Sequence, residues 1–482
     1  MARRSSNDKE SERVSIERSV RCQAMAETAA YAAGLLASFA IGLGIAISNG
    51  AYSLPAAACV AFALFVLGRR WLAHVRAPGV DSAPAQDFRA VLLFAACGAI
   101  LMAWVGMNDE RLVLCATRPW GMTVAAIGAL GLLVLTYVPA IVRGTAENER
   151  FRRIRFLVVI ACVLVGGVDA IGSSANPDVD VWVLEQQGAD VLAQLQNPYA
   201  HVSVQNTAPG HVGPNVPYVY TPLQLFVTLP AKKLFGDVRY AMLAAVVVAG
   251  CALRFLARRA TAGTNAPSFA EDAPALFYFL TPKLFFVIEQ AWTEPISVMF
   301  ACLAIAAHVG KRPILAAILF GLLFATKQTM IWVVPIACFV VALRPWQIAT
   351  ALATAGATVL PFAIANFHAL KYALFDFQNL LPPRKDGLTL HTAVADLLGF
   401  ELPGALGFLF AAAACGISAW RLRGRLAEFA PSAAFTLLVF FFFNKWAFAN
   451  YYFLTMGLAT LAAAVPRGDY LLTSSRDSVS SI

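Results

Sequence analysis

Along most of its length the chain alternates long apolar blocks with short polar or basic joints. Runs of about 17 to 25 mostly apolar residues recur from about residue 28 to residue 466, and a run of that length is what a helix needs to cross a hydrocarbon core of about 30 Å. The pattern predicts spanning helices over 28–48, 53–73, 90–106, 121–142 and 156–173, and again over 239–258, 272–289, 294–309, 313–326, 329–344, 346–366, 402–421, 429–446 and 450–466. The expected fold class is an all-α polytopic membrane protein, a bundle of about 12 to 14 transmembrane helices.

The longest polar interruption is 174–238, which opens DVDVWVLEQQGADVLAQLQNPYA and closes YVYTPLQLFVTLPAKKLFG. Val181, Leu184, Gly188, Val191, Leu192 and Leu195 recur at three- and four-residue steps, the period of a helix able to lie along a membrane surface. Lys232, Lys233 and Arg239 run against an outer placement of this segment unless 222–236 is a helix lying at the outer interface. Asp178 and Asp180 stand where the fifth span ends and the first of these helices begins, which places carboxylates at the rim of the bilayer.

Lys and Arg gather in excess on cytoplasmic loops. Arg3, Arg4, Lys9, Arg13, Arg18 and Arg21 precede the first span; Arg69, Arg70 and Arg76 follow the second; Arg143, Arg150, Arg152, Arg153 and Arg155 follow the fourth. The same alternation puts Arg258, Arg259, Lys311, Arg312, Arg344, Arg421, Arg423 and Arg425 on that side. Both termini are then cytoplasmic and 174–238 is extracytoplasmic, as in a protein of the bacterial cytoplasmic membrane. The chain divides into a basic tail over 1–27, a four-helix membrane extension over 28–150, the main membrane unit over 151–466 and a polar tail over 467–482.

Composition agrees with lipid as the main solvent: of 482 residues 59% are hydrophobic and 13% charged, about half the charged share of an ordinary soluble domain. The net charge of +9 is spent in short clusters between spans, so it marks topology and not a nucleic-acid surface. Most of the nine cysteines lie inside apolar runs with no CxxC pairing and read as small buried hydrophobes. The first apolar stretch exceeds the 7 to 15 residues of a signal-peptide core, so no cleavage is expected there.

Ionisable residues at membrane depth are costly and mark functional sites. On the expected outer face, 174–238 converges with the tips 289–294 and 326–329, with 367–400 and with 444–452. The order of elements resembles the GT-C superfamily of integral membrane glycosyltransferases, and in particular its bacterial mannosyltransferase- and arabinosyltransferase-like members. The resemblance rests on an acidic residue just after a span (Asp180 or Asp178), a juxtamembrane helix after the fifth span, Asn197-Pro198-Tyr199, and Tyr220-Thr221-Pro222-Leu223. It continues through PKLFFVIEQAWTEP (282–295), GLLFATKQ (321–328), RKDGLTL (384–390) and NKWAFANYY (444–452). It covers roughly 156–466, the GT-C-like catalytic membrane domain; the four spans before residue 150 depart from the family pattern.

The resemblance implies transfer of a sugar from a polyprenyl-phosphate donor to a glycan, lipid or protein acceptor, with inversion at the anomeric carbon. Such chemistry needs a base near the acceptor hydroxyl and cations near the leaving phosphate. Asp180, or alternatively Asp178, is the candidate base. Lys327, Arg384 and Lys445 are candidate phosphate contacts. Glu289 and Glu294 are candidates to hold the acceptor or orient a cation; Trp292, Tyr218, Tyr220 and Tyr451 are candidates to stack on sugar rings. Tyr199, Gln290, Gln328, Asp386 and Asn450 complete the candidate binding set. A divalent metal could bridge Asp178, Asp180 and the phosphate, but two alternating carboxylates without His do not define a metal site, and no cofactor is assigned.

Each residue also has a plainer reading. Asp178 and Asp180 fit a helix cap, Lys327 and Lys445 fit a dipole or headgroup contact, Arg384 fits a loop ion pair with Asp386, and Glu294 before Pro295 fits a helix start. His201, His211 and His391 lack ligand spacing and are expected to be solvated. A transporter, or a flippase or polymerase of lipid-linked glycans, is the alternative function. A transporter tends to carry internal repeats and midplane charges, and neither is visible here.

Overall fold

A computed structural model describes residues 33–76, 149–177, 179–204, 215–262, 271–281 and 283–465. The expected spans 90–106 and 121–142, both tails, Asp178 and His211 lie outside the described residues. What is described is all-α, apart from one two-residue antiparallel ribbon in which β1 (Ser203–Val204) pairs with β2 (Val216–Pro217). Among the described residues four helices are long and apolar enough to cross a membrane: Leu54–Arg76, Glu149–Ser173, Arg239–Thr261 and Pro345–Leu380. Large apolar side chains such as Leu157, Leu352, Ile364, Phe367 and Leu409 stand exposed on the surface, as suits a protein whose surroundings are apolar.

In chain order, α1 (Ala33–Ser48) and α2 (Leu54–Arg76) form a hairpin, and α3 (Glu149–Ser173) is followed by α4 (Asp180–Ala193), the short α5 (Pro198–His201) and α6 (Pro222–Phe235). Next come α7 (Arg239–Thr261), α8 (Ala273–Phe279), α9 (Leu284–Glu289), α10 (Glu294–Val309) and α11 (Pro313–Phe324). A 3-10 turn (Gln328–Trp332) leads into α12 (Val333–Val340); then follow α13 (Pro345–Lys371), a π turn (Tyr372–Asp376), α14 (Phe377–Leu380), α15 (Leu390–Leu398), α16 (Ala405–Arg421), α17 (Phe429–Phe442) and α18 (Ala449–Ala464).

Most boundaries lie within a few residues of the hydropathy pattern, and the departures have local causes. The run 272–289 is two short helices, because Pro282 disfavours a helical residue before it and Lys283 takes a left-handed backbone, φ 70°. The run 346–366 continues to Leu380 as a kinked helix: Asn366 leaves helical geometry (φ −162°, ψ 87°) while its Oδ1 accepts from Ala369 N–H at 3.0 Å. The stretch 390–398, counted with the polar loops, is an amphipathic helix capped by Thr389, and it buries His391. That corrects the expectation of a solvated imidazole; His201 is exposed.

Packing between α10, α7, α11 and α18, and between α17, α18, α16 and α2, builds one large apolar core. Small residues let these helices approach where lipid supplies no hydrophobic drive. At Gly321 an added Cβ would collide with the Ala351 carbonyl, so glycine sets the α11–α13 distance.

The bundle has two chemically different ends. At one end the start of α3, the end of α7 and the start of α8 meet in an ionic lattice. Asp272 accepts from Arg155 and Arg254, each at 2.6 Å, and Glu271 pairs with Arg152 at 3.0 Å and Arg258 at 3.3 Å. Arg70 at the end of α2 pairs with Glu428 at 2.9 Å. The opposite end gathers the α1–α2 turn, the end of α3, the starts of α4, α7, α10 and α18, and the end of α11.

Candidate functional site

The helix α4 begins at Asp180 because Val179 is extended and the carboxylate, in the first turn, complements the helix dipole. Asp180 accepts from Val181 N–H at 2.8 Å, so it does tie off one free donor of the helix. The residue nonetheless remains exposed. Enclosing protein raises its carboxyl above the ordinary range, against the pull of the Val181 N–H and of the Arg384 charge.

Arg384 comes from the loop between α14 and α15, some two hundred positions along the chain. Its Nε and Nη2 fork onto the two oxygens of Asp386, both at 2.7 Å. The guanidinium lies over Trp446 at 5.5 Å and Phe448 at 5.0 Å. The loop ion pair foreseen for Arg384 is thus present, and its guanidinium still acts on Asp180.

This loop is strapped to the segment before α18. Lys445 Nζ donates to the Leu381 carbonyl and Trp446 Nε1 to the Pro382 carbonyl, both at 2.7 Å, and Leu388 N–H donates to the Ala447 carbonyl at 2.8 Å. Tyr452 Oη donates to the Leu388 carbonyl. Lys445 therefore serves as a strut in this structure, and burial lowers its ammonium pKa.

Across from the loop, Glu294 opens α10, wholly buried. Lys327 Nζ and Asn450 Nδ2, the latter at 2.9 Å, both donate to Glu294 Oε1. Glu294 Oε2 finds no hydrogen-bond partner among the described residues. The Lys327 ammonium is also flanked by the rings of Tyr220 at 5.8 Å and Tyr451 at 5.6 Å, whose faces attract a cation. The turn that carries Lys327 is fixed from beneath: the Thr326 carbonyl accepts from Thr221 Oγ1 at 2.8 Å and Gln224 Nε2 at 2.6 Å, and Gln328 Nε2 donates to the Val219 carbonyl at 2.9 Å.

The structure thus brings Asp180, Arg384, Tyr220, Tyr451, Glu294, Lys327 and Asn450 together; the carboxylates of Asp180 and Glu294 both act on the Tyr220 hydroxyl. Tyr199 supports this group from behind, its hydroxyl donating to the Tyr220 carbonyl at 2.6 Å. Glu289, Gln290 and Trp292 belong to a neighbouring knot. There Glu289 accepts from Ser174 Oγ at 2.6 Å and from Gln290, Arg239 reaches the Glu289 carbonyl at 3.3 Å, and Trp292 packs edge-on against Phe286 at 5.2 Å.

One residue beside the site was not foreseen. Glu185 on α4 is fully buried, accepting from Tyr218 Oη at 3.0 Å and Thr228 Oγ1 at 3.4 Å. Burial pushes its carboxyl up to about 7, partly offset by those hydroxyls and by the charge of Lys327. The signal was present in the sequence: Glu185 falls on the apolar face of α4 between Val181 and Gly188. An added Cβ at Gly188 would stand 2.9 Å from Leu225 and 3.1 Å from Tyr218, so glycine is what lets α4 press this carboxylate onto α6. Among the described residues no group of three or more His, Cys, Asp or Glu side chains gathers as metal ligands would.

Compared with protein-family models, curated proteins and solved structures, the chain matches none.

Proposed function

We propose that the chain is an integral membrane glycosyltransferase of GT-C-like build. In this reading about 12 to 14 helices span the bilayer, and α4 and α6 lie at its extracytoplasmic surface. The arginine-rich end, with both termini, faces the cytoplasm of a bacterial cell. The donor is a polyprenyl-phosphate sugar drawn from the membrane, and the acceptor is a glycan, a lipid or a protein.

The observation that carries this reading is the environment of Asp180: an exposed carboxylate on which the charge of Arg384 acts and whose own charge, like that of Glu294 in its pair with Lys327, acts on the Tyr220 hydroxyl. In the transfer step the acceptor hydroxyl oxygen forms a bond to the anomeric carbon while the bond from that carbon to the phosphate oxygen breaks. Asp180 takes the hydroxyl proton, and the bond electrons leave with the phosphate. Arg384 and Lys327 are each engaged by one carboxylate, but a guanidinium has five donors and an ammonium three, so both retain donors for phosphate oxygens. Attack opposite the leaving phosphate inverts the anomeric configuration.

Purified full-length protein in lipid nanodiscs, given a radiolabelled polyprenyl-phosphate sugar, is expected to release polyprenyl phosphate. Asp180→Asn is expected to lower that release by about 100-fold or more while leaving the protein folded. Full activity in the Asn variant removes Asp180 from the mechanism; sugar movement across the membrane with no cleavage favours a transporter instead.

A further inference from the structure

Glu185 takes no part in the transfer step, yet its setting is unusual. It lies on α4 between Asp180 and the α6 packing face, wholly buried, and its hydrogen-bond donors are two hydroxyls. Hydroxyls can donate to a carboxylate or accept from a carboxylic acid, so the pocket accommodates either form of Glu185. A guanidinium or backbone N–H in the same place would hold only the ionised form.

The groups that face it can be named element by element. Tyr218 and Tyr220 come from the extended segment after β2, Tyr199 from α5, Thr228 from α6, and Lys327 from the tip after α11; Asp180 begins the same helix. The cation that acts on Glu185 is Lys327. Lys327 thus pairs with one buried carboxylate, Glu294, and is linked to the second through Tyr220, whose ring lies 5.8 Å from the ammonium and 5.9 Å from the ring of Tyr218, the hydroxyl donor to Glu185. The tyrosines carry no charge near neutrality, and Asp180 is common to the two proteins compared below, so the Glu185 proton is the charge that the comparison isolates.

We propose that Glu185 sets the charge of the phosphate-binding end of the site: acting through Lys327, its ionised form weakens and its protonated form strengthens the hold on an anionic lipid phosphate. The inference rests on the glycosyltransferase reading, which supplies the phosphate. Glu185 is a positioning residue in this scheme and touches no reacting atom. Its burial places the change of charge near neutral pH, where it adjusts release of the phosphate product.

The test measures binding of farnesyl phosphate, as a short lipid-phosphate probe, to full-length wild type and Glu185→Gln in nanodiscs from about pH 5.5 to about pH 8.5. The phosphate's own second ionisation, at about pH 6, affects both proteins and cancels in the ratio of their dissociation constants. The ratio of wild type to variant is expected near one at the acid end. It should rise to about three- to tenfold at the alkaline end, the effect of about half to one pKa unit of coupling. Thr228→Val, which removes a donor from the ionised carboxylate, is expected to move the wild-type transition to higher pH and keeps the test available should the Gln variant fail to fold. A ratio that does not change with pH, or a transition that Thr228→Val leaves in place, overturns the role of Glu185 alone. Absence of binding by both proteins at every pH overturns the phosphate site and this role together.

Discussion

Lys327 and Glu294 pair across the tips of two helical hairpins, and Asn450 from a third element donates to the same carboxylate oxygen. The pair is nearly withdrawn from solvent, with side-chain exposures of 11% and 1%, so its loss is not a surface matter. Lys327→Met leaves a buried carboxylate without its cation and is expected to cost about 3 to 5 kcal/mol. The double variant Lys327→Met with Glu294→Gln should regain most of that. Thermal unfolding in detergent measures both; a double variant no more stable than the single one would show that the charge is not the cause.

Arg384 offers a planar fork stacked on Trp446 and Phe448, a geometry lysine cannot copy. If the chain is the glycosyltransferase proposed above, Arg384→Lys is expected to lower kcat/KM for the lipid-linked donor by about 10- to 100-fold, with the bundle intact by circular dichroism. Unchanged kinetics would remove Arg384 from the phosphate contacts.

Glu185 makes stability depend on pH in a defined direction. Its carboxyl ionises at about 7 in the folded chain against 4.5 for the free group, so between those values the folded state binds the extra proton. Stability from this group is greatest at the acid end, falls as pH rises through that window, and reaches a total loss of about 3 kcal/mol above it. The difference in unfolding temperature between wild type and Glu185→Gln, followed against pH, isolates the contribution. A difference that grows toward acid would contradict the burial argument.

At the opposite end Asp272 serves two guanidiniums, Arg155 and Arg254, and is itself buried. Asp272→Asn is expected to lower stability by about 3 to 5 kcal/mol, while the turnover of the protein that remains folded is unchanged. A loss of turnover without loss of stability would mean that this lattice reaches the chemistry.

Sidedness can be read with a membrane-impermeant maleimide on intact cells. In a background without the native cysteines, Lys385→Cys, exposed in the loop of Arg384, should label at once, and Arg312→Cys, exposed between α10 and α11, only after permeabilisation. The reverse pattern would place Asp180 in the cytosol and end the glycosyltransferase reading.

The apolar rhythm of this chain determines its helices almost unaided: α10 runs from Glu294 to Val309 and α7 starts at Arg239, as hydropathy alone anticipates. Burying backbone polar groups in an apolar solvent leaves the chain little but helix, so local composition is sufficient there. Asp180 is conspicuous for a similar reason, as a carboxylate between a span and an amphipathic helix.

Which candidates meet was another matter. Lys445 and Lys327 look alike in sequence, yet one ammonium is spent on the Leu381 carbonyl and the other is shared by Glu294 and two tyrosine rings. Glu289 and Glu294 lie five positions apart but enter different networks, since the backbone turns sharply through Ala291 at φ 56°. Helix formation depends on neighbours within a turn, whereas a side chain's partner depends on which helices pack and at what depth, and that is settled by long-range contacts no local pattern encodes.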